Sequence, residues 1–228
     1  MVELNAIIYI ISTVLIFLIM MRLYKRFPFP FLLPILTTTI VLVVLIILLH
    51  IPYNEYMEGG KWIQNLLGPA VVALAYPLYN QRQLVAKYKY TIMLGIVFAM
   101  MIGLISVCLG LEAFHEEKDF ILTALPKSLT TPIAMQVSET IGGIPPLTAV
   151  LVMVAGFTGA LFGPMVYKLG KIDSPISRGI SMGSASHGVG ISRLKDYGEE
   201  DLSIGSVSMS LSAVIGAILC PIFVFLFF

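Results

Sequence analysis

Charge is what this chain has least of. Only 12% of its 228 residues are Asp, Glu, Lys or Arg, about half of the roughly 25% found in soluble domains. Such a chain cannot cover a folded surface with charge, which excludes an ordinary water-soluble globule. Cysteine is also scarce. Cys108 and Cys220 are the two present. Both fall in apolar runs without metal-ligand spacing, so neither a disulfide nor a thiolate metal site is expected. Motifs for group chemistry are missing too. There is no glycine loop ending in Lys-Ser or Lys-Thr and no His-Glu-x-x-His. His50, His115 and His187 lie in separate segments. Ser186 adjoins His187, but no acid is placed to orient the imidazole. The sequence therefore assigns no catalytic residue, cofactor or metal ligand and points away from an enzyme. A net charge of +1 gives no basis for a nucleic-acid partner.

Apolar surface is what the chain has instead. The sequence is 58% hydrophobic, with a mean hydropathy of +0.95. Six runs near positions 4–21, 31–50, 64–80, 90–111, 147–167 and 204–227 approach the roughly 17–25 residues a helix needs to cross a bilayer. Lipid, rather than charge, is the covering medium. Ala6–Met21 lacks a cleavage pattern and is preceded only by Glu3, so a retained span is expected. The run 64–80 holds Gly68, Pro69 and Pro77 and is expected to be broken or kinked.

Basic residues orient these runs. Arg22, Lys25 and Arg26 follow the first; Arg82, Lys87 and Lys89 follow the third; Lys168, Lys171 and Arg178 follow the fifth; Arg193 and Lys195 precede the sixth. These are 11 of the 14 Lys and Arg residues. Lys61, Lys118 and Lys127 fall in acid-bearing segments. The positive-inside rule then places both termini outside. It also makes 121–146 start and end outside, and 175–202 start and end inside. The expected fold is an all-α polytopic membrane protein of six transmembrane helices plus two opposed re-entrant or broken-helix segments. Its inverted-repeat, transporter-like layout would form one membrane domain over 1–228, with scaffold helices about 1–111 and a core about 112–228. The competing layout runs both segments through as broken crossings, giving eight spans and one violation of the charge rule. Leu67–Leu74 can also be laid over Leu129–Gln136, a short match that suggests broken geometry in the third run.

Two polar runs stand inside this apolar chain. One is Ser181–Arg193, with Gly183, Gly188 and Gly190, the hydroxyls Ser184 and Ser186, and His187. Backbone N–H groups at a half-helix end, with hydroxyls beside them, make a site for a small anion. His187 can bind a carboxylate or take up a proton. The bland alternative is close helix packing with His187 as an interhelical donor. The other run is Leu129–Glu139. Pro132 interrupts helical bonding, Thr130, Thr131 and Ser138 carry hydroxyls, and Gln136 lies one turn beyond Pro132. Gln136 and Glu139 are costly at depth unless they face a cavity. Substrate-binding candidates are thus Thr130, Thr131, Pro132, Gln136, Ser184, Ser186, His187 and Gly188. Glu139 and Arg193 are coupling or gating candidates, although Glu139 also fits a surface role and Arg193 also fits a rim anchor or a partner for Asp196. Glu199-Glu200-Asp201 is expected as a solvated loop. A proton is the favoured coupling ion, because His187 can titrate.

The order Ser128–Met135, Ile141–Pro145, Phe162-Gly163, Arg178-Gly179 and Met182–Gly190 closely resembles the LrgB/CidB family of bacterial membrane proteins. The likeness spans essentially the whole chain and is strongest over 125–228. Where the family often carries Thr-Ala-Arg after the last glycine, this chain has Ile191-Ser192-Arg193 and keeps the arginine. The resemblance implies the bacterial cytoplasmic membrane and a small membrane partner of the LrgA/CidA type; a homo-oligomer is left open by the sequence. It implies two lines of function. One is holin-like or antiholin-like modulation of murein hydrolase activity and lysis. The other is transport of small monocarboxylates such as pyruvate, glycolate or glycerate. The buried Gly-Ser-His and Thr-Thr-Pro elements favour the carrier, because a hole-forming protein has no need of them.

Overall fold

The computed structural model is helical throughout its described residues, which are 2–29, 32–66, 69, 72 and 75–228. Two compact units form, Met1–Ala70 and Val71–Phe228.

The first unit holds α1 (Val2–Arg26), α2 (Pro34–Leu48) and α3 (Tyr53–Asn65). Helix α1 is apolar and closes on Lys25 and Arg26, cations that complement a helix C-terminus. Helix α2 starts with Pro34 in its first turn and has 15 residues, short of the roughly 17 that span a bilayer. Helix α3 occupies what reads in the sequence as a loop, because its polar groups find partners on α1. The Tyr9 hydroxyl donates to Glu55 at 2.8 Å, and the Thr13 and Tyr56 hydroxyls are 2.9 Å apart. Gly59 allows the approach, since a Cβ there would lie 2.6 Å from the Ala6 carbonyl oxygen.

The second unit comprises α4 (Ala75–Asn80), α5 (Arg82–Ala113), α6 (Lys118–Ala124), a 3-10 turn (Leu125–Ser128), α7 (Thr131–Ile141), α8 (Pro145–Gly170), α9 (Pro175–Leu194) and α10 (Glu199–Phe227). With α1, helices α5, α8 and α10 are long and apolar enough to cross a membrane, making four of that kind among the described residues. Of the six expected spans, the second is the shorter α2. Six of the seventeen residues of the third, 67, 68, 70, 71, 73 and 74, lie outside the described residues, and with them most of the overlay of Leu67–Leu74. Polarity is inverted relative to a soluble protein. Leu94, Phe98, Ile102, Val154, Phe162 and Ile218 are exposed, while Thr123, Ser138, Thr148, His187, Asp201 and Ser208 are buried. That pattern matches a hydrocarbon surround.

The segment 118–144 doubles back. It runs in through α6 and the 3-10 turn, extends at Leu129 and Thr130, and returns as α7. Pro132 sits in the first turn of α7, where its missing N–H costs nothing. Start and end are tied at one base. The Ile144 N–H donates to the Thr123 hydroxyl at 2.9 Å. The Thr148 hydroxyl lies 2.8 Å from the Thr123 carbonyl oxygen and 2.6 Å from the Ser138 hydroxyl. Gly142, at φ +86°, caps α7, and the Gly143 N–H donates to the Ser138 carbonyl at 2.8 Å. The sequence suggests a return limb beginning at Gly142. The return limb is instead α7, and Gly142-Gly143 form the turn at the base. Lys118, at that base, donates to the carbonyl of Phe228 at 3.3 Å, so this hairpin opens where α10 ends.

The segment 175–198 doubles back from the other direction. Helix α9 breaks at His187, at φ +39° and ψ −142°, and its last turns fold against its first. A Cβ on Gly190 would meet Ser186 Cβ at 2.5 Å and Met182 Sδ at 2.7 Å, residues an uninterrupted helix would leave a turn or two behind. Tyr167, Met182, Ile191 and Leu194 form one cluster. The base is fastened by Arg178, whose Nε donates to Asp201 Oδ1 at 2.7 Å and whose guanidinium lies 4.8 Å from the Tyr197 ring centre. Asp201 is in the first turn of α10, so this hairpin opens where α10 begins. It is therefore not a solvated loop residue as the sequence suggests, but is only 2% exposed. The Arg178 side chain closes over it. The two hairpins thus open toward opposite ends of α10.

Gly143 makes the first base possible, because a Cβ there would lie 2.5 Å from Ser138 Oγ and 2.9 Å from the Thr123 backbone. Gly143→Ala is expected to destabilise the unit by about 1–3 kcal/mol through overpacking. A thermal melt of the detergent-solubilised protein checks this; an unchanged midpoint would contradict the tight base.

Candidate functional site

Helix α8 is the wall on which the second hairpin tip rests. Gly156, Gly159 and Gly163 present a flat strip to α9. A Cβ on Gly156 would lie 2.7 Å from His187 Cε1, one on Gly159 would overlap Ser186, and one on Gly163 would lie 2.6 Å from Met182 Cε. The strip lets the tip approach the α8 backbone, and His187 uses that proximity. Its ring is buried, with Nε2 2.9 Å from the Val152 carbonyl oxygen. A carbonyl only accepts, so Nε2 carries the hydrogen in this contact. Val152 lies in the first third of α8, so this contact ties the break in α9 to the α8 backbone.

The first hairpin delivers Lys127 to the same region. Lys127 is half-buried in the 3-10 turn, just before the Leu129-Thr130 reversal. It lies within electrostatic reach of His187. With Ser186, Ala185, Thr158, Gly159, Ala155, Val154 and Leu151 it lines a hollow of about 410 Å³. No carboxylate lines that hollow among the described residues, and Lys127 makes no ion pair there. Its nearest polar contact is the Ser128 hydroxyl at 3.4 Å.

The residues singled out in the sequence fall into separate places. Ser186 and His187 meet at the α9 break, with Gly188 exposed beside them. Ser184 is buried, but its hydroxyl donates to its own helix at Ile180 O, 2.6 Å away. Thr130, Thr131 and Pro132 form the half-buried start of α7 and do not line the hollow. Gln136 and Glu139 are exposed. Glu139 lies nine residues past Thr130, about 13 Å along a helix, toward the base of the first hairpin. Arg193 pairs with Asp196 at 3.3 Å, at the end of α9. Two residues escaped the sequence pattern. Lys127 reads as one more loop cation, although no acidic residue stands nearer in sequence than Asp119. Asp201 is hidden in an acidic triplet.

The LrgB-like family matches residues 13–226. The chain belongs to that family. Among relatives of this LrgB-like chain, the uncharacterized protein YxaC of Bacillus subtilis is 49% identical, covering 97% of this chain and 96% of its own. The B. subtilis protein YwbG is 39% identical over 92% of this chain and 93% of its own. The holin-like protein CidB of Staphylococcus aureus is 34% identical over 98% of each. No solved structure matches. The LrgB-like chain is a membrane protein of a holin-like family.

The Arg178–Asp201 pair closes the second hairpin of this LrgB-like fold. Asp201→Asn leaves Arg178 without its counter-charge and is expected to cost about 3 kcal/mol, as for other broken buried pairs. Replacing both residues with apolar side chains is expected to cost less than Asp201→Asn alone. A double-mutant cycle on detergent-phase stability measures this, and additive losses would show that the pair is not coupled.

Proposed function

We propose that the protein is a secondary transporter of small monocarboxylates such as pyruvate or glycolate, with a proton as the coupling ion. The observation that supports it most is the meeting of two opposed hairpins at a hollow beside the middle of α8. Irregular backbone in a bilayer is tolerated where it lines a cavity, and opposed broken helices around a central site are a recurrent carrier design. The inverted-repeat layout, six crossings, both termini outside and the bacterial cytoplasmic membrane belong to this proposal. The substrate lies between the 129–139 and 181–193 segments. The Ser186 hydroxyl suits a carboxylate, as does His187 once a proton on Nδ1 makes that nitrogen a second donor beside the Nε2–H held by Val152, and Thr130 and Thr131 begin α7 on the first hairpin.

The name of the staphylococcal relative supports a second function, a holin-like protein that modulates murein hydrolase activity and lysis. The two differ in flux. A carrier gives saturable, selective uptake; a hole leaks unrelated solutes and scales with oligomer formation. A small membrane partner of the LrgA/CidA type is proposed for either role. Flux that appears only on adding that partner would assign transport to the pair rather than to this chain.

In proteoliposomes under a pH gradient, the purified protein is expected to take up pyruvate or glycolate saturably. His187→Ala and Thr131→Ala are expected to lose that uptake. Normal uptake in both variants would sink the site assignment, and non-selective leak from the wild type would sink the carrier itself.

A further inference from the structure

We infer that Lys127 is the counter-charge for the substrate carboxylate, and that the bound anion lies between Lys127 and Ser186 against α8. The inference rests on the carrier proposal above and names the group that recognises charge within it. Three facts lead to it. Lys127 is carried to the hairpin tip, not left at a membrane rim, by a turn whose neighbours Leu125, Pro126 and Leu129 are buried. It has no acidic partner among the described residues, whereas the base cation Arg178 is paired with Asp201 at 2.7 Å. It also opens onto a hollow of about 410 Å³. Withdrawing a cation from water is costly unless a counter-charge meets it. None stands among the described residues, so an anionic ligand completes the site.

The hydrogen-bond inventory narrows that ligand. An ammonium offers three donors, and the Ser128 hydroxyl takes at most one, at 3.4 Å. The Ser186 hydroxyl has no hydrogen-bond partner among the described residues and lines the hollow. Thr158 spends its donor on the Val154 carbonyl at 2.7 Å, so it offers only lone pairs. Lys127 and Ser186 therefore provide the free donors for the two oxygens of one carboxylate. Leu151, Val154 and Ala155 face the remainder of the ligand, which suits a short alkyl or keto tail. A second carboxylate would find neither a cation nor a free donor here. The site selects monoanions over dicarboxylates by leaving the extra charge unpaired.

Charge replacement tests this. In proteoliposomes, Lys127→Cys is made in a background with Cys108→Ala and Cys220→Ala, and pyruvate is the probe. Size exclusion and thermal melting establish that each variant is folded. Lys127→Cys is expected to raise the KM for pyruvate by about 30-fold or more, the scale for removing one member of a buried charge pair. Aminoethylation of the introduced thiol by a methanethiosulfonate reagent restores the cation and is expected to restore uptake. The sulfonatoethyl reagent, of similar length and opposite charge, is expected not to. Succinate is expected to compete poorly with pyruvate in the wild type. A folded Lys127→Cys protein with wild-type KM overturns the inference and leaves the carrier proposal standing. Equal rescue by both reagents also overturns it, by showing that length rather than charge matters. Absence of saturable uptake by the wild type, for every monocarboxylate tried, defeats the carrier proposal itself.

Discussion

The constraint on which the second unit depends is that a backbone leaving helical geometry inside lipid must be enclosed by protein. Each unpaired N–H or C=O in hydrocarbon costs several kcal/mol. Among the described residues the two hairpins make such departures at Leu129-Thr130 and at His187. Helix α8 lies beside both hairpins and must be thin where the second approaches. Its glycines at 156, 159 and 163 supply that thinness, since a Cβ at any of them would collide with Met182, Ser186 or His187. The rest follows. The bases are stapled so that the tips hold position, and the polar groups that staple them are buried while the outer faces are apolar.

The staples differ in kind at the two ends. The first base uses neutral hydroxyls, with Thr123, Ser138 and Thr148 sharing one cluster. The second uses charge and aromatic rings, with Arg178 gripping Asp201 and lying against Tyr197, while the Tyr167 hydroxyl donates to the Arg178 carbonyl at 3.0 Å. A hydroxyl cluster ignores pH and salt near neutrality. An ion pair leaves an uncompensated charge when either partner is lost, whereas its burial limits screening by salt. The two ends of the unit are therefore held by forces of different susceptibility, although their backbone geometry is similar.

Much of this was written in the sequence at the level of path. Pro132, Gly142-Gly143 and the Gly183–Gly190 run mark where helices stop or break. The tip at His187 followed from those signals. What the sequence concealed was side-chain destination. Glu55 and Tyr56 read as loop polarity because their partners Tyr9 and Thr13 are some forty positions away. Asp201 sits beside two exposed acids and looks like them until Arg178 is folded over it. Lys127 resembles any loop cation because periodicity carries no information about a short 3-10 turn between two reversals. The signal that could have exposed it is its isolation: an apolar run precedes it, and no acid lies close enough in sequence to neutralise it.

The unpaired ammonium at the first tip has a bearing on voltage. Under the proposed chemistry, an empty site carries one net positive charge at the hairpin tip, whereas a site holding a monocarboxylate carries none. A membrane potential does work of about 2.3 kcal/mol per elementary charge per 100 mV traversed. It would act on the empty protein wherever Lys127 shifts along the field, would be nearly blind to a site holding the anion alone, and would act again once the coupling proton joins it. Polarisation of the membrane would then distinguish a site loaded with anion and proton together from one holding the anion alone.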